Sequence, residues 1–272
     1  MPKAIVIIPI YKSEPDSFEA ISFKQCIQVL NKHSICILTH EELDISYYTN
    51  ELDNKGAKYI VEYFHPDYFA STAGYNRLLL SLAFYQRFRK YEYMLIYQLD
   101  AYVFRDELDY WCDKGYDYIG APWFEGFLSN ADGNKIWKVG NGGFSLRKVK
   151  KFICILNPYF PVFKPKRLIR ERFNGKLHSL SDYVKLLAYS IGYKNTINYY
   201  IRSNHNNEDY FFAVFLENSW AKLLKPDVIL AANFSFEKGP DYLYSLTKKT
   251  PFGAHALEKN MYNEFWKKNN LI

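Results

Sequence analysis

The chain has few cysteines and no long apolar run. Its four cysteines, Cys26, Cys36, Cys112 and Cys154, form no Cys-x-x-Cys pair and have no histidine at metal-ligand spacing. This usage argues against a disulfide scaffold and predicts buried thiols in a reducing, cytoplasmic compartment. No apolar stretch approaches the ~20 residues of a membrane span, and Met1 leads into a short apolar strand without a signal-peptide cleavage site. We therefore expect a soluble or peripherally attached protein.

Common nucleotide-binding and nucleic-acid-binding motifs are also missing. The glycine-rich stretch Val139–Arg147 has neither the Lys-Ser ending of a Walker loop nor the G-x-G-x-x-G spacing of a dinucleotide fold. No helix-turn-helix, zinc knuckle or ribonucleoprotein motif is present, so we expect no nucleic-acid partner. Aromatic residues, in contrast, make up 19% of the chain, which suits stacking surfaces for sugars or bases as well as core packing.

Alternating strand and helix patterns predict an α/β fold with a Rossmann-type central sheet flanked by helices. The predicted strands are 4–10, 35–39, 59–63 and 93–100, and the predicted helices are 17–31, 72–89 and 210–216. The strand at 93–100 is apolar on both faces, as expected for a central parallel strand. After about residue 105 the pattern loosens, which predicts a mixed α+β second half.

We predict one domain over residues 1–272, with a nucleotide-binding half at 1–105 and a half for the donor sugar and acceptor at 106–272. A basic insertion is predicted at about 150–205, where eleven Lys or Arg stand against two acids, a net charge of +9 in a chain of +6. Local positive charge interleaved with aromatic rings suits an anionic membrane surface or a phosphate-bearing acceptor. The alternative is a solvated face near an acidic partner.

Four segments carry candidate chemistry. Asp100 is the acid at the end of the strand at 93–100, which places it at the carboxyl edge of the sheet, where open α/β sheets bind ligands. The alternative is that Asp100 only caps a turn. The run Asn141-Gly142-Gly143 lets the backbone approach a ligand closely, although glycines of this kind also form hairpin turns or bulges.

Two adjacent acids, Glu208 and Asp209, begin the predicted helix at 210–216, and His255 follows a turn near the end of the chain. A carboxylate in reach of a hydroxyl can act as a general base, and neutral imidazole is a competent metal ligand. We expect the helix dipole to lower the pKa of Asp209 and keep it ionised at neutral pH. The alternatives are a helix cap for the acids and a structural histidine.

Two further segments suit a nucleotide. Pro9 and Tyr11 end the first strand, and Ser71 and Asn76 lie where a small-residue loop opens the helix at 72–89. A helix N-terminus offers backbone amides to a diphosphate. Both segments are also ordinary strand-end and cap sequences.

Four segments resemble, in their order along the chain, the motifs of GT-A-type glycosyltransferases. They are Gln98-Leu99-Asp100, Asn141-Gly142-Gly143-Phe144, Asn207-Glu208-Asp209 and Pro251-Phe252-Gly253-Ala254-His255. With Gly120-Ala121-Pro122-Trp123, they resemble most a bacterial GT-A-like family associated with cell-surface polysaccharide synthesis. The resemblance runs from Ile5 to His255.

The resemblance implies roles for these residues. Asp100 and His255 would bind Mn or Mg on opposite sides of the cation, and Asp209 would be the general base, with Glu208 in reserve. Gln98 stands where the family has the first Asp of Asp-x-Asp and would contact the ribose, which puts the metal affinity in doubt. Pro9, Tyr11, Ser71, Asn76 and the segment Asn141-Gly142-Gly143 would bind the nucleotide-sugar.

The resemblance therefore predicts an inverting, metal-assisted glycosyltransferase. Its donor is expected to be a UDP-sugar that carries a hexose. Its acceptor is expected to be a cell-surface glycan or a lipid-linked saccharide, as in polysaccharide or lipopolysaccharide synthesis. It would work in the cytoplasm or at the inner face of the cell membrane. Two alternatives stay open, a non-catalytic glycan- or nucleotide-binding protein and a sugar nucleotidyltransferase.

Overall fold

The structure is a computed structural model, which describes residues 2–126, 135–159, 161–257 and 263–268. The strands are β1 (Ala4–Pro9), β2 (Ser34–Thr39), β3 (Tyr59–Tyr63), β4 (Tyr93–Tyr97), β5 (Ala101–Val103), β6 (Tyr118–Ile119), β7 (Pro122–Phe124), β8 (Ile136–Val139), β9 (Phe144–Lys148), β10 (Ser235–Phe236) and β11 (Gly253–His255). The helices are α1 (Ser17–Val29), α2 (Ser46–Asn54), α3 (Thr72–Leu79), α4 (Leu82–Arg87), α5 (Leu108–Asp113), α6 (Val149–Ile155), α7 (Pro165–Arg172), α8 (Leu180–Ser190), α9 (Ile197–Arg202), α10 (Glu208–Ala213), α11 (Val228–Phe234), α12 (Pro240–Thr247) and α13 (Asn263–Lys268).

A six-stranded sheet in the order β3-β2-β1-β4-β9-β6 forms the centre of the molecule. Strands β1 to β4 are parallel, and β9 runs antiparallel to both β4 and β6. The helices cover both faces of this sheet, and shorter strands and helices make up the second half of the chain. The predicted fold class, a mostly parallel α/β sheet with a mixed α+β second half, is therefore confirmed.

Burial on both faces explains why the central strands are apolar throughout. Alternate side chains of β1 and β4 point to opposite faces, and each face is packed by a different set of helices. Ile5, Ile7 and Ile96 meet rings from α4, α6 and α10 on one face, whereas Val6, Ile8 and Leu95 meet α1, α2 and α5 on the other.

Several predicted boundaries are corrected by the structure. The predicted helix at 72–89 is two helices, α3 and α4, because the Ser81 side chain accepts the Phe84 N–H at 3.2 Å and caps a new helix. The predicted strand at 93–100 ends at Tyr97, and Gln98 begins a turn into β5. The predicted helix at 210–216 begins at Glu208 and ends at Ala213, and α2 was not predicted.

A second, three-stranded sheet in the order β10-β11-β5 connects the end of the chain to the central sheet. Strand β11 is antiparallel to β5, with His255 paired to Ala101. This register places His255 beside the residue that follows Asp100. A motif near residue 255 thereby reaches the edge of the sheet where β4 ends.

The predicted basic segment at 150–205 folds mainly as helices α6 to α9. Cys26, Cys36 and Cys112 are buried as predicted, whereas Cys154 is exposed. Among the described residues, no helix is both long enough and apolar enough to cross a bilayer.

Candidate functional site

The candidate site lies where the strand order of the central sheet reverses. From β1 the chain proceeds to β2 and β3 on one side, and β4 returns to the other side of β1. Open α/β sheets bind ligands in the crevice that such a reversal leaves at the carboxyl ends of the strands. Pro9 and Tyr11 follow from the end of β1, and Gln98 and Asp100 follow β4.

Asp100 and His255 meet at this edge. The Nε2 atom of His255 lies 3.1 Å from Oδ1 of Asp100 and 3.2 Å from Oε1 of Gln98. Burial alone favours the neutral imidazole, but hydrogen bonds and the charges of Asp100 and a second acid, Glu237, raise the pKa of His255 to about 10. Asp100 and Glu237 therefore favour the protonated form of His255.

The donor atoms fit a divalent cation that is shared with a substrate. No group of three or more His, Cys, Asp and Glu side chains within the described residues forms a metal cluster. Asp100 and His255 supply one oxygen and one nitrogen, and Mg²⁺ is commonly held by one or two carboxylates together with substrate phosphates. That Asp100 and His255 hold one cation from opposite sides stays a prediction, and in this structure the two atoms lie 3.1 Å apart.

The other ring nitrogen of His255 faces two side chains. Nδ1 lies 2.9 Å from the amide Nδ2 of Asn141 and 3.5 Å from Oε1 of Glu237. These contacts are alternatives, because Asn141 donates to an unprotonated Nδ1 and Glu237 accepts from a protonated one. The other oxygen of Glu237, Oε2, is buried without a hydrogen-bond partner within the described residues. Burial disfavours the Glu237 carboxylate, but the hydrogen bond and charge of His255 hold its pKa below the usual value.

The segment Asn141-Gly142-Gly143 lies against this pair. Asn141 adopts a φ of 70°, and its Oδ1 accepts the Phe144 N–H at 3.0 Å. A Cβ on Gly143 would overlap the His255 ring and lie 2.6 Å from Oε1 of Gln98. Glycine is therefore needed at Gly143 for the backbone to pass this close to His255.

Glu208 is held by a buried arginine. Two nitrogens of Arg147 contact the two carboxylate oxygens of Glu208 at 2.8 and 3.0 Å. Arg147 also donates to Tyr85 Oη at 3.0 Å and to Ser145 Oγ at 3.0 Å. Because both oxygens of Glu208 are paired, this bidentate ion pair attaches the start of α10 to β9.

Asp209, the next residue, lies against Gly142. A Cβ on Gly142 would be 3.5 Å from Asp209 Oδ2, and Oδ1 accepts the Tyr210 N–H at 2.7 Å. Burial, followed by the charges of Glu208 and Glu237, raises the pKa of Asp209 to about 7. The expectation that the helix dipole lowers this pKa is therefore wrong. A carboxyl that titrates near neutral pH suits a general base, which must be able both to take up and to release a proton.

The predicted nucleotide contacts lie around the same edge. Pro9 is buried at the end of β1, and the exposed Tyr11 donates to Glu19 Oε1 at 3.0 Å. The Ser71 side chain caps α3 by accepting the Gly74 N–H at 3.1 Å. Asn76 accepts the Glu208 N–H at 3.0 Å and donates to Asn207 at 3.1 Å. In this structure the Ser71 side chain therefore caps the start of α3, and the Asn76 side chain hydrogen-bonds the start of α10.

Three residues of the site were not predicted from the sequence. Glu237 follows the two-residue strand β10, and Arg147 lies in β9 at the end of the glycine-rich stretch Val139–Arg147. Because the next residue, Lys148, is also basic, no sequence signal indicated that Arg147 is buried, although a buried charge requires a partner. Tyr75 is partly buried, and its buried hydroxyl lies near Gln98 without a hydrogen bond of ordinary geometry among the described residues.

Comparison with known families assigns the chain to one of them. The family described as "Protein of unknown function (DUF5672)" matches residues 58–255, and the chain belongs to this family. The match includes all of the site except the end of β1. No curated protein matches the sequence.

Solved structures with a related fold include three glycosyltransferases. The galactosyltransferase LgtC, in complex with donor and acceptor sugar analogues, has a TM-score of 0.46 and 11% identity over 92% of this chain and 86% of that chain. A glycosyltransferase involved in glycosylation of the major capsid of PBCV-1 has a TM-score of 0.40 and 10% identity over 93% of each chain. Core-mannan synthase A from Aspergillus fumigatus, in an Mn/GDP form, has a TM-score of 0.40 and 10% identity over 77% of this chain and 71% of that chain.

Proposed function

We propose that the protein is a metal-assisted, inverting glycosyltransferase that uses a nucleotide-sugar, expected to be a UDP-hexose, as its donor. The observation that carries the proposal is the 3.1 Å contact between Asp100 and His255 at the point where the strand order reverses. The acceptor is proposed to be a cell-surface glycan or a lipid-linked saccharide.

In this proposal Asp100 and His255 hold Mn or Mg together with the donor diphosphate. The cation supplies charge neutralisation and Lewis-acid assistance to the departing diphosphate. Gln98 keeps a side-chain oxygen beside His255 and has an amide to offer to a ribose hydroxyl. The end of β1, with Pro9 and Tyr11, lies next to β4 in the sheet and suits the nucleoside.

Gly142 and Gly143 form the floor for the donor sugar. A Cβ on Gly142 would lie 2.5 Å from Glu208 Oε1 and 3.5 Å from Asp209 Oδ2, and a Cβ on Gly143 would overlap the His255 ring. The candidate base and the candidate cation pair therefore lie next to two consecutive residues. This arrangement would let Asp209 accept a proton from an acceptor hydroxyl, while Asp100 and His255 would hold the cation beside the diphosphate.

Asp209 is a better candidate base than Glu208. Both oxygens of Glu208 are occupied by Arg147, and removing Glu208 from that pair would leave a buried charge without a partner. Asp209 carries no such ion pair in the described residues, and its pKa of about 7 leaves a substantial ionised fraction at neutral pH. We assign Glu208 a positioning role, in which it fixes the start of α10 and thereby Asp209.

A donor screen tests the proposal. The purified protein is incubated with UDP-, GDP- and CMP-sugars with and without Mn, and release of the nucleoside diphosphate or monophosphate is measured. We expect metal-dependent hydrolysis of one donor class, with loss of activity in Asp100→Ala and Asp209→Asn. Tight nucleotide-sugar binding without turnover would instead support the non-catalytic binding protein, and formation of pyrophosphate from a sugar phosphate and a nucleoside triphosphate would support the nucleotidyltransferase.

A further inference from the structure

Helix α8 carries an apolar stripe that no described part of the chain covers. Leu180, Tyr183, Val184, Leu187 and Ile191 are 82%, 58%, 62%, 65% and 75% exposed. Their spacing of three and four residues places them on one side of the helix. An exposed apolar patch of this extent on a soluble protein typically marks an interaction surface.

The opposite side of α8 already packs against the protein. Leu186 and Tyr189 contact the core, and the guanidinium of Arg172 lies 4.5 Å from the Tyr189 ring centroid. Ser179 and Asp182 form a capping box at the start of the helix. The helix is therefore fixed by one face, and the outer stripe is an additional apolar face that this packing does not require.

Exposed basic residues lie close to the stripe along the chain. Residues 164–202 contain nine Lys or Arg and two acids, Glu171 and Asp182. Lys176 and Lys194 lie before and after α8, and Lys185 lies within it, all three exposed. We call Lys176, Lys185 and Lys194 the basic rim. A flat apolar stripe with a basic rim is the composition of helices that lie in the plane of an anionic membrane.

We propose that the α8 stripe and its basic rim bind the surface of an anionic lipid bilayer. A second copy of the chain is a poor occupant, because a symmetric contact would bring two strongly basic faces together. The exposed Tyr183 on the stripe suits the boundary between headgroups and acyl chains. This inference goes beyond the proposed function, since bilayer binding involves no step of sugar transfer.

Co-sedimentation with vesicles tests the proposal. The full chain is mixed with phosphatidylcholine vesicles that either contain or lack phosphatidylglycerol. We expect binding to the anionic vesicles that weakens steeply with salt, because exposed charges are screened beyond ~8–10 Å. The triple variant Val184→Ser, Leu187→Ser, Ile191→Ser should bind at least about tenfold more weakly, since it removes the inserted apolar area.

Matched controls separate the stripe from general effects. The triple variant Ile21→Ser, Leu224→Ser, Leu246→Ser changes exposed apolar residues on other elements and should bind as wild type does. A second triple variant reverses the charge of the basic rim, with Lys176→Glu, Lys185→Glu and Lys194→Glu, and should lose vesicle binding. It tests the proposal even if the serine variant fails to fold. Its control reverses three lysines elsewhere, with Lys55→Glu, Lys58→Glu and Lys90→Glu, and should keep vesicle binding. Circular dichroism establishes that each variant is folded.

Three results would overturn the proposal. One is the absence of wild-type binding to anionic vesicles, and another is equal binding by a folded serine triple variant. The third is a dimer in light scattering that the serine variant dissociates, combined with no vesicle binding, which would assign the stripe to a second copy. Activity on a soluble acceptor tests the proposed function separately, because the stripe variants leave the candidate catalytic residues unchanged.

Discussion

His255 Nε2 lies 3.1 Å from Asp100 Oδ1 because β11 pairs antiparallel with β5, with His255 opposite Ala101. Backbone pairing, not side-chain contact alone, thus sets the distance between the two candidate metal ligands. A change at either residue should therefore alter metal binding more than it alters the fold.

We expect Asp100→Ala and His255→Ala each to weaken Mn-dependent binding of the donor nucleotide at least about tenfold, since each removes one of the two proposed protein ligands. Isothermal titration of UDP with and without Mn measures the effect. Asp67→Ala and His205→Ala change exposed residues of the same types and serve as controls. Equal nucleotide affinity for wild type and both site variants would reject the metal assignment.

Glu237 should support metal binding through His255. A cation at Nε2 requires the proton on Nδ1, and Glu237 Oε1, 3.5 Å from Nδ1, is the side chain able to accept it. We expect Glu237→Gln to weaken Mn affinity in the presence of UDP by ~10–100-fold. Electron paramagnetic resonance of bound Mn gives the affinity without reliance on turnover. If the affinity is unchanged, Glu237 has no positioning role.

Gly143→Ala should damage the site with little effect on the rest of the fold. The added Cβ would overlap the His255 ring and crowd Gln98, so we expect the ring to move and nucleotide-dependent Mn affinity to fall at least about tenfold. Gly115→Ala is the control, because its Cβ meets nothing within 4 Å although its φ of +77° is unfavourable for alanine. Comparable losses of Mn binding in both variants would attribute the effect to general destabilisation.

The sequence predicts the parallel sheet and the strand-end residues well because these depend on local pattern. Apolar runs define β1 and β4, and chemistry at the ends of parallel strands must meet at one edge. The strand pattern places Asp100 at this edge. Asn141 and His255 were assigned to the same site through the resemblance, because Asn141 precedes the antiparallel β9 and His255 lies on β11 of the second sheet.

Other features of the site arise only from tertiary packing. Arg147 and Glu208 belong to different elements, and nothing local to either residue identifies its partner. The pKa of Asp209 was predicted in the wrong direction because a helix dipole contributes ~0.3–1 kcal/mol at an exposed site, whereas burial can shift a carboxyl by several pKa units. The exposure of the α8 stripe likewise depends on which face of α8 packs inward.

The Arg147–Glu208 pair should be important for stability. Both side chains are buried, and removing one partner leaves an uncompensated charge, which typically costs about 3–5 kcal/mol. We expect Arg147→Met to lower the free energy of unfolding by about that amount in urea titrations. Arg87→Met breaks the more exposed contact with Glu62 and should cost ~1 kcal/mol or less. Similar costs for both variants would contradict the positioning role assigned to Glu208.

The final prediction concerns Asp209 and pH. Because its pKa is about 7 in the folded protein, the rate of transfer should rise with pH through about 7 as the base becomes ionised. Asp209 is influenced by Glu208 and Glu237, which raise its pKa, and by Arg147, which lowers it. Asp209→Asn should reduce the rate ~10²–10⁴-fold while UDP and Mn still bind.

Stability provides an independent readout for the same carboxyl. The folded-state pKa lies above the unfolded value of ~3.9, so the folded protein binds more protons between about pH 4 and 7. The free energy of unfolding should therefore fall as pH rises through this window. Asp209→Asn removes the penalty and should be more stable than wild type at pH 8, but not at pH 4. Glu217→Gln, on the 3₁₀ segment after α10, should not reproduce this crossover.

A transfer rate in Asp209→Asn close to that of wild type, or a product that retains the anomeric configuration of the donor, would refute Asp209 as the base even if the stability crossover is observed.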